Sequence, residues 1–291
     1  MGWMVRVASV IAAIVAAISS AGAQTASPAP LSPAVAVKVG VLDSLGEAPI
    51  FIAVKRGYFE AEGLKVELVS FADTATMIAP LSAGQLDVGV GAPTAGFFNA
   101  VARGIPLKLV GDKGRNSSGH GFNALVVRKD LVDSGKVKTI RDIKGLKIGS
   151  PSRMSPVEIE LDAGLRAEGL SLDDVQIEQI AFPEMIAAMG SKAIDGAMMI
   201  EPLIALAVSN GVAVRFLGAD VMYPDYQIAG VLYGAEFPTS RAEAAKRWMV
   251  AYVRGIRDFL EAEKERGAKW DEVVDLLIAN TRVKNRQVYE R

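Results

Sequence analysis

The chain has 291 residues, 51% of them hydrophobic and 22% charged, which is enough apolar material for a substantial core. At roughly 150 residues per domain, this length predicts about two domains. The 32 basic and 33 acidic side chains give a formal net charge of -1, which argues against a nucleic-acid partner because such proteins carry a basic surplus. The absence of cysteine excludes disulfides, cysteine–zinc sites, iron–sulfur clusters and a lipid-modified cysteine anchor.

The first residues have the pattern of a secretory signal peptide. Arg6 supplies a positive charge, residues 7–18 are uncharged and almost wholly apolar, and Ala21-Gly22-Ala23 has a small-x-small cleavage pattern. A membrane anchor is the alternative, but the apolar run is shorter than the about 20 residues that span a bilayer. We expect residues 1–23 to be a cleavable signal peptide and residues 24–34, rich in Pro, Ala and Ser, to be a flexible leader. The protein is then expected in the periplasm without a lipid anchor.

A weak internal repeat indicates the architecture. The phrase FEAEGL at 59–64 resembles LRAEGL at 165–170, and AGQLDVG at 83–89 resembles SKAIDGA at 191–197. An apolar strand is predicted before each copy, and another strand follows each Ala-Glu-Gly-Leu phrase. Each half therefore predicts a β-α-β-α-β unit, which forms a parallel sheet with helices on both faces.

Local signals place helix ends within this pattern. Gly63 and Gly169 are expected to end helices in the left-handed conformation. Ser155 and Glu158 flank Pro156 in a capping-box pattern. A long amphipathic helix is predicted from Ser240, and a further helix over 270–280. Pro80 predicts a late start or a kink in the helix over 74–83, because proline lacks an N–H donor.

The usual catalytic patterns are missing. His120 is the only histidine, so no site with two histidines can form, and the nucleophile-elbow, phosphate-loop and dinucleotide fingerprints are absent. Asp87 and Asp195 could act as a carboxylate pair, but their matched positions at the starts of equivalent strands favour a structural role. We expect no enzyme activity, no catalytic residue, no bound metal and no cofactor.

A series of phrases resembles one known family. These phrases are KRGYFEAEGLKVE at 55–67, AGQLDV at 83–88, IRDIKGLKIG at 140–149, IDGA at 194–197 and Glu201-Pro202. In this order they resemble the nitrate/sulfonate/taurine-type substrate-binding proteins of ABC importers, a family that includes binders of thiamine-pyrimidine precursors. The resemblance covers roughly residues 37–261.

The resemblance implies an α/β fold of the periplasmic binding protein type II, with two α/β lobes joined by two crossing segments around a central ligand cleft. Residues 35–127 plus 228–291 would form lobe 1, and residues 128–227 would form lobe 2. The crossings would lie near 126–129 and 227–235. The long helix from Ser240 would then pack back on the first lobe.

The same resemblance implies a monomeric, extracytoplasmic solute-binding protein. It would capture a small-molecule ligand by lobe closure and deliver it to an ABC permease in the inner membrane. Two alternatives stay open: an enzyme of the same fold resembling thiamine-pyrimidine synthase, which uses a histidine and a cysteine-rich iron motif, and a solute-sensing module for a membrane receptor.

Candidate ligand-binding residues follow from a rule for parallel α/β sheets. Ligands bind beyond the carboxyl ends of the strands, where helix N-termini present free N–H groups. The rule and the loops near the crossings select Ser44, Leu45, Glu47, Asp73, Thr74, Pro93, Thr94, His120, Ser152, Arg153, Phe182, Glu201 and Tyr226. Structural alternatives are a helix cap for Glu201, a structural role for the loop carboxylate of Glu47, a solvated loop charge for Arg153 and hinge packing for Tyr226. The mixed charges predict a small organic solute with acceptor and donor groups, anionic or zwitterionic.

Overall fold

The computed structural model describes residues 29–42 and 44–290. The predicted signal peptide, residues 1–23, and the first part of the predicted leader lie outside the described residues. Residues 31–291 form one compact unit. The end of the predicted leader is anchored in this unit, because the N–H of Leu31 donates to the carbonyl of Glu62 at 3.3 Å.

Two five-stranded sheets form the framework of the described chain. The strands are β1 (Val35–Val41), β2 (Leu64–Ser70), β3 (Val88–Gly91), β4 (Lys108–Arg115), β5 (Asn123–Arg128), β6 (Lys147–Ser150), β7 (Gln176–Gln179), β8 (Gly196–Ile200), β9 (Ala213–Gly218) and β10 (Gln227–Tyr233). The strand order is β2-β1-β3-β10-β4 in one sheet and β7-β6-β8-β5-β9 in the other. We call the first sheet with its helices the first lobe and the second sheet with its helices the second lobe.

Helices connect and cover these strands. They are α1 (Ala48–Lys55), α2 (Tyr58–Ala61), α3 (Ile78–Ser82), α4 (Ala95–Ala102), α5 (Lys129–Asp133), α6 (Pro156–Ala167), α7 (Phe182–Gly190), α8 (Leu203–Ser209), α9 (Ala219–Met222), α10 (Phe237–Ser240), α11 (Ala242–Glu265) and α12 (Gly267–Asn280). Short 3-10 turns cover Leu45–Glu47, Ala75–Met77, Ile140–Ile143, Leu172–Asp174 and Arg286–Val288.

The internal repeat predicted from the sequence is present. In each lobe three parallel strands come from one copy, and their order is the same, β2-β1-β3 and β7-β6-β8. Each sheet then adds two further strands, of which the inner one, β10 or β5, runs antiparallel to its neighbours. The predicted parallel units are therefore correct, and they are parts of larger mixed sheets.

Asp87 and Asp195 have the structural role expected from their matched positions. The carboxylate of Asp87 accepts the N–H of Lys38 at 2.9 Å, and that of Asp195 accepts the N–H of Lys147 at 3.0 Å. Each aspartate holds the first strand of its copy beside the third, which stabilises the same strand pair in both lobes. They lie in different sheets and do not form a catalytic pair.

The helix ends also follow the sequence in most places. Gly63 and Gly169 have φ of 74° and 75°, as expected for helix-ending glycines. Pro80 lies in the first turn of α3, after a 3-10 turn, so the helix starts late as the sequence allowed. The long helix begins at Ala242, and Ser240 instead ends the short α10 before it. Helices α11 and α12 both pack on α1 of the first lobe.

The chain passes between the lobes at earlier residues than the sequence resemblance implies. Residues 123–128 pair with β8 and β9 and so belong to the second sheet, although the sequence analysis put residues up to 127 in lobe 1. The first crossing segment is therefore residues 116–122, not 126–129. The second crossing segment is residues 223–226, directly before β10, whereas the return was expected at 227–235.

A cluster of aromatic side chains forms the core under α11. Trp248 is fully buried, stacks on Tyr252 with ring centroids 5.2 Å apart, and meets the edge of Tyr233 at 6.0 Å and the tilted ring of Phe59 at 5.8 Å. These residues come from α11, β10 and α2, so the cluster ties α11 to the rest of the first lobe.

We predict that W248A lowers the free energy of unfolding by about 3–5 kcal/mol, because it leaves a large cavity in this cluster. The matched control is L260A on the same helix, where the side chain is 54% exposed and the change is expected to stay within about 0.5 kcal/mol. Denaturant unfolding measures both. Equal effects of the two substitutions would contradict the assigned core.

Candidate ligand-binding cleft

A cavity of about 50 Å³ lies between the two lobes. It is lined by Leu42, Ser44, Asp73, Thr74, Gly91, Ala92, Thr94, Lys113, Phe122, Pro151, Ser152, Ser155, Pro156, Val157, Phe182, Ile200, Ile228 and Ala229. Most of these residues follow the carboxyl ends of the parallel strands β1, β2, β3, β6 and β8, as the rule for parallel sheets predicts. The rest are Phe122 from the first crossing, Lys113 on β4, Phe182 at the start of α7, and Ile228 and Ala229 near the start of β10.

The floor of the cavity contains a buried ion pair. Lys113 Nζ donates to Glu47 Oε1 at 2.7 Å, and their side chains are 4% and 0% exposed. The N–H of Leu42 donates to the same oxygen at 3.1 Å, while the hydroxyl of Ser44 donates to Oε2. Because Lys113 is the only basic residue in the lining of the described cavity, Glu47 cancels the cationic charge there.

Two threonine hydroxyls are oriented by the backbone. Thr74 Oγ1 accepts the N–H of Ala92 at 3.0 Å, and Thr94 Oγ1 accepts the N–H of Phe97 at 3.4 Å, which caps α4. A hydroxyl that accepts from the backbone still has its own proton to donate. Both threonines line the cavity, so each can offer that proton to an acceptor on a ligand.

The N-terminus of α6 faces the cavity from the second lobe, through Pro156 and Val157. The helix begins where the sequence predicts, but the expected capping box is wrong. Met154 has a left-handed backbone with φ of 52°. Its N–H donates to the Glu158 carboxylate at 2.6 Å. In a capping box, this carboxylate would instead accept the N–H of Ser155. Ser155 makes no side-chain cap and lies 3.3 Å from Ser150 Oγ.

Apolar side chains form much of the remaining wall. Phe122 and Phe182 face the cavity with Ile200, Ile228 and Leu42. Gly91 is needed here, because a Cβ at this position would overlap the side chain of Thr74. The lining of the cavity thus combines hydroxyl donors on the first lobe with apolar walls, which is the chemistry that recognises an acceptor group joined to an apolar body.

A hydrogen bond joins the lobes beside the cavity. The N–H of Leu45 in the first lobe donates to the carbonyl of Glu201 in the second lobe at 3.2 Å. The Glu201 carboxylate is engaged within its own lobe by the N–H of Ala205 at 3.1 Å and by Arg215 Nη1 at 2.9 Å. Burial raises the pKa of Glu201. Its side chain therefore has the capping role that the sequence analysis offered as the alternative.

The structure brings part of the sequence-predicted site together. The cavity lining includes Ser44, Asp73, Thr74, Thr94, Ser152 and Phe182, and it leaves out Leu45, Glu47, Pro93, His120, Arg153, Glu201 and Tyr226. Glu47 lies behind Ser44 and Lys113, whereas His120 and Arg153 are exposed. Tyr226 stacks on Tyr223 in the second crossing segment, with centroids 4.7 Å apart. For these seven residues, contact with a ligand stays a prediction.

Lys113 is the most important lining residue that the sequence analysis missed. It lies on β4, for which no strand was predicted, and β4 joins its sheet only through β10, more than a hundred positions later. The short apolar run of Leu107, Leu109 and Val110 before Gly111 was the available signal for this strand. Three further lining residues are not predicted from the sequence. Phe122 lies in the first crossing segment, which was expected at 126–129, whereas Ile228 and Ala229 lie near the start of β10, within the expected return at 227–235.

Two mixed α/β sheets joined by two crossings around a cavity define the class of the molecule, the periplasmic binding protein fold. Residues 46–265 match the family model described as NMT1/THI5 like, so the chain belongs to the NMT1/THI5-like family.

Relatives in sequence include both binding proteins and enzymes. The chain is 29% identical over 234 residues to a protein of Brucella abortus that is named as a binding protein, covering 79% of this chain and 68% of that protein. It is 27% identical over 261 residues to the 4-amino-5-hydroxymethyl-2-methylpyrimidine phosphate synthase of Aspergillus parasiticus, covering 84% and 71%.

Solved structures show the same fold. The alkanesulfonate-binding protein SsuA of Xanthomonas axonopodis pv. citri, bound to MOPS, superposes with a TM-score of 0.74 at 17% identity, covering 90% of this chain and 84% of that chain. The ligand-binding component of an ABC-type import system of Staphylococcus aureus, with zinc bound, gives 0.72 at 17% identity, covering 88% and 82%. The resemblance to sulfonate-binding importer proteins seen in the sequence is therefore confirmed at the level of fold.

The described residues contain neither a cluster of metal-ligating side chains nor a membrane-spanning helix. No group of three or more His, Asp or Glu side chains there is placed to hold a metal ion. No helix in residues 29–42 or 44–290 combines the length and the apolar character of a membrane span.

We predict that K113M lowers the free energy of unfolding by about 3–5 kcal/mol, because it leaves the buried Glu47 carboxylate without its cation. The double variant K113M/E47Q should recover a large part of this loss, since it removes the uncompensated charge. Denaturant unfolding of the singles and the double gives the coupling between the two residues.

The control for the buried pair is E272Q, which breaks the exposed pair of Arg56 with Glu272 (2.8 Å) and should change stability by less than about 1 kcal/mol. If K113M behaved like E272Q, the buried ion pair would not be a stabilising element of the cleft.

Proposed function

We propose that this protein is an extracytoplasmic solute-binding protein, which captures a small organic solute in the cleft and delivers it to an ABC permease. The observation that carries the proposal is that one cavity is lined by residues of both lobes, beside the bond from Leu45 to Glu201. Only the closed form offers a solute the contacts of both lobes, so the solute shifts the equilibrium between open and closed forms.

The chemistry of the cleft supports a solute with a compact acceptor group. Thr74, Thr94 and Lys113 present donors on the first lobe, while Phe122 and Phe182 supply apolar surface. Since Glu47 neutralises Lys113, recognition depends on directed hydrogen bonds, and the neighbouring carboxylate of Asp73 can accept a donor of the solute. An anionic or zwitterionic organic molecule could accept hydrogen bonds from these donors and pack its apolar part against Phe122 and Phe182.

The sequence supports the location and partners. The signal-peptide pattern of residues 1–23 and the absence of cysteine support a periplasmic protein without a lipid anchor. A binding component of this kind acts as a monomer beside a permease of the inner membrane, and it needs no cofactor, because capture involves no covalent step.

An enzyme of the same fold is the second candidate, favoured by the 27% identity to the pyrimidine phosphate synthase of Aspergillus parasiticus. The site gives it less support. The only histidine, His120, is exposed and outside the cavity lining, and the chain has no cysteine. The acidic and basic side chains in the lining are Asp73 and Lys113, and Lys113 is paired with Glu47.

Native mass spectrometry of freshly purified protein tests the proposed function, because a trapped solute identifies its own class. A panel of sulfonates, carboxylates, amines and pyrimidines should then contain a compound that binds with a dissociation constant of about 1 μM. At a hundredfold excess over that constant, the compound stabilises the fold by about 2.7 kcal/mol. If no compound of the panel changed the unfolding temperature and no solute were trapped, the proposal would be overturned.

We predict that F182A weakens binding of the solute found in that screen by about tenfold or more, since it removes an aromatic wall of the cavity. The matched control is F98A, where the side chain is 57% exposed on α4 and the affinity should not change. Isothermal titration measures both variants. The same measurement on R153A tests the separate sequence prediction that Arg153 contacts the solute.

A further inference from the structure

A buried carboxylate lies beneath the crossing segments. Glu160, on α6 of the second lobe, is fully buried. Its Oε1 accepts a hydrogen bond from Asn116 Nδ2, and its Oε2 accepts one from Asn123 Nδ2. Asn116 is the first residue of the first crossing segment, and Asn123 directly follows its last residue. Glu160 therefore holds both ends of this segment.

Asn116 also joins the two crossing segments to each other. Its backbone N–H donates to the carbonyl of Tyr226 at 2.9 Å, and its carbonyl accepts the N–H of Asp225 at 2.7 Å. The side chain of the same residue is bonded to Glu160. We call the two crossing segments the hinge. A continuous network of hydrogen bonds thus links α6 to the first crossing segment and, through Asn116, to the second.

The surroundings of Glu160 disfavour its charged form. Burial raises the pKa of Glu160 to about 8, and the amide donors of Asn116 and Asn123 only partly oppose this effect. The pKa of Tyr226 is raised to about 12, first by its own burial and then by the negative charge of Glu160.

The other charged groups on elements around α6 have partners elsewhere or lie exposed. They are Arg115 with Asp225, Asp220 with the Gly119 N–H, Glu158 with the Met154 N–H, Asp162 with Arg166, Arg141 with Glu168, Lys144 with Asp174, Glu201 with Arg215, and the exposed Asp142, Asp173 and His120. None of these described groups supplies a cation to Glu160.

The balance of hydrogen-bond donors and acceptors around Glu160 also favours its neutral, protonated form. Asn116 Oδ1 and Asn123 Oδ1 are buried and have no hydrogen-bond partner. A carboxylate can only accept, whereas a carboxylic acid has one O–H, and an amide oxygen can accept it after the asparagine amide rotates. Protonation therefore gives the buried cluster a donor that the ionised form lacks.

We propose that Glu160 is a positioning residue of the hinge: protonated Glu160 holds the crossing segments against α6, and its ionisation releases them. When the proton leaves the Glu160 carboxyl for solvent, the cluster holds a buried negative charge without a cation. Water must then enter to solvate that charge, which separates the crossing segments from α6. The movement of the lobes thereby depends on pH in the weakly alkaline range, an effect independent of which solute the cleft binds.

The variant E160Q tests this directly, because its amide keeps one donor and one acceptor and cannot ionise. The carboxyl titrates near its ordinary pKa of 4.5 in the unfolded chain but near 8 in the folded protein. The folded state therefore holds the extra proton between these values, and the stability of the wild type falls relative to E160Q as the pH rises from 4.5 to 8. We expect the unfolding temperatures to differ by roughly 5 °C or more at pH 8.5, with E160Q higher, and to converge near pH 4.5.

Amide hydrogen exchange in residues 116–123 and 223–227 provides a second measurement. A purely structural role of Glu160 would not make the difference in exchange between wild type and E160Q depend on pH. The wild type and E160Q should exchange equally at pH 6. At pH 9 the wild type should exchange about tenfold faster, because one pH unit above the pKa the ionised form exceeds the neutral form tenfold. The control E158Q changes another buried glutamate of α6, which contacts Met154, and should leave the exchange of both segments as in the wild type.

Infrared difference spectroscopy of the wild type keeps the proposal testable if E160Q folds poorly. A carboxylic-acid band that disappears near pH 8 in the folded protein would support it. The proposal is overturned if the wild type shows no such band, or if the pH profiles of wild type and E160Q run parallel in both stability and exchange.

Discussion

The buried ion pair of Lys113 and Glu47 holds the cleft in its shape. Lys113 lies on the last strand before the first crossing segment, and Glu47 lies in the turn between β1 and α1. Removing two charges from water costs several kcal/mol for each ion, and the cost is offset only when the remaining polar atoms are satisfied. The N–H of Leu42 and the hydroxyl of Ser44 meet that requirement for the carboxylate.

This arrangement also determines how the cleft can recognise a solute. Because Glu47 neutralises Lys113, the lysine does not attract an anion to the cavity by net charge, so the recognition of an acceptor group depends on the direction of hydrogen bonds and on shape. Thr74 and Thr94 are fixed by backbone donors before any ligand arrives, and the apolar wall from Phe122 and Phe182 needs no partner. Such preorganisation reduces the entropy lost on binding.

The internal repeat explains why two lobes face one cavity. Asp87 and Asp195 make equivalent bonds to the first strand of each copy, and both sheets follow the same strand order. Each copy ends its parallel strands at one edge, and the cavity lies where these edges meet. The C-terminal part strengthens this arrangement, because α12 packs on α1 of the first lobe and the 3-10 turn Arg286–Val288 packs on α8 of the second.

Features that depend on local chemistry could be predicted from the sequence. Gly63 and Gly169 mark helix ends because only glycine adopts a left-handed backbone without strain, and Pro80 delays its helix because it cannot donate. The membership of strands in a sheet could not be predicted in this way. Residues 123–128 form an apolar strand that fits either lobe, and only pairing with β8 and β9 places it in the second.

The same distinction applies to the site. Ser44, Thr74 and Thr94 were predicted because they directly follow strands or precede helices, where the position of a side chain depends on its immediate neighbours. Lys113 and Phe122 reach the cavity through long-range pairing, which has no local signature. Exposed loop residues such as His120 and Arg153 satisfy the sequence rule equally well, yet the structure turns them to solvent.

The proposed function depends on closure of the two lobes around a solute, and small-angle X-ray scattering measures that closure. The radius of gyration should be recorded on protein from which any trapped solute has been removed by unfolding and refolding, and again after saturation with that solute. We predict that the solute-free protein is more extended and that saturation restores the compact form. An identical radius in both states, at a solute concentration shown to occupy the site, would contradict it.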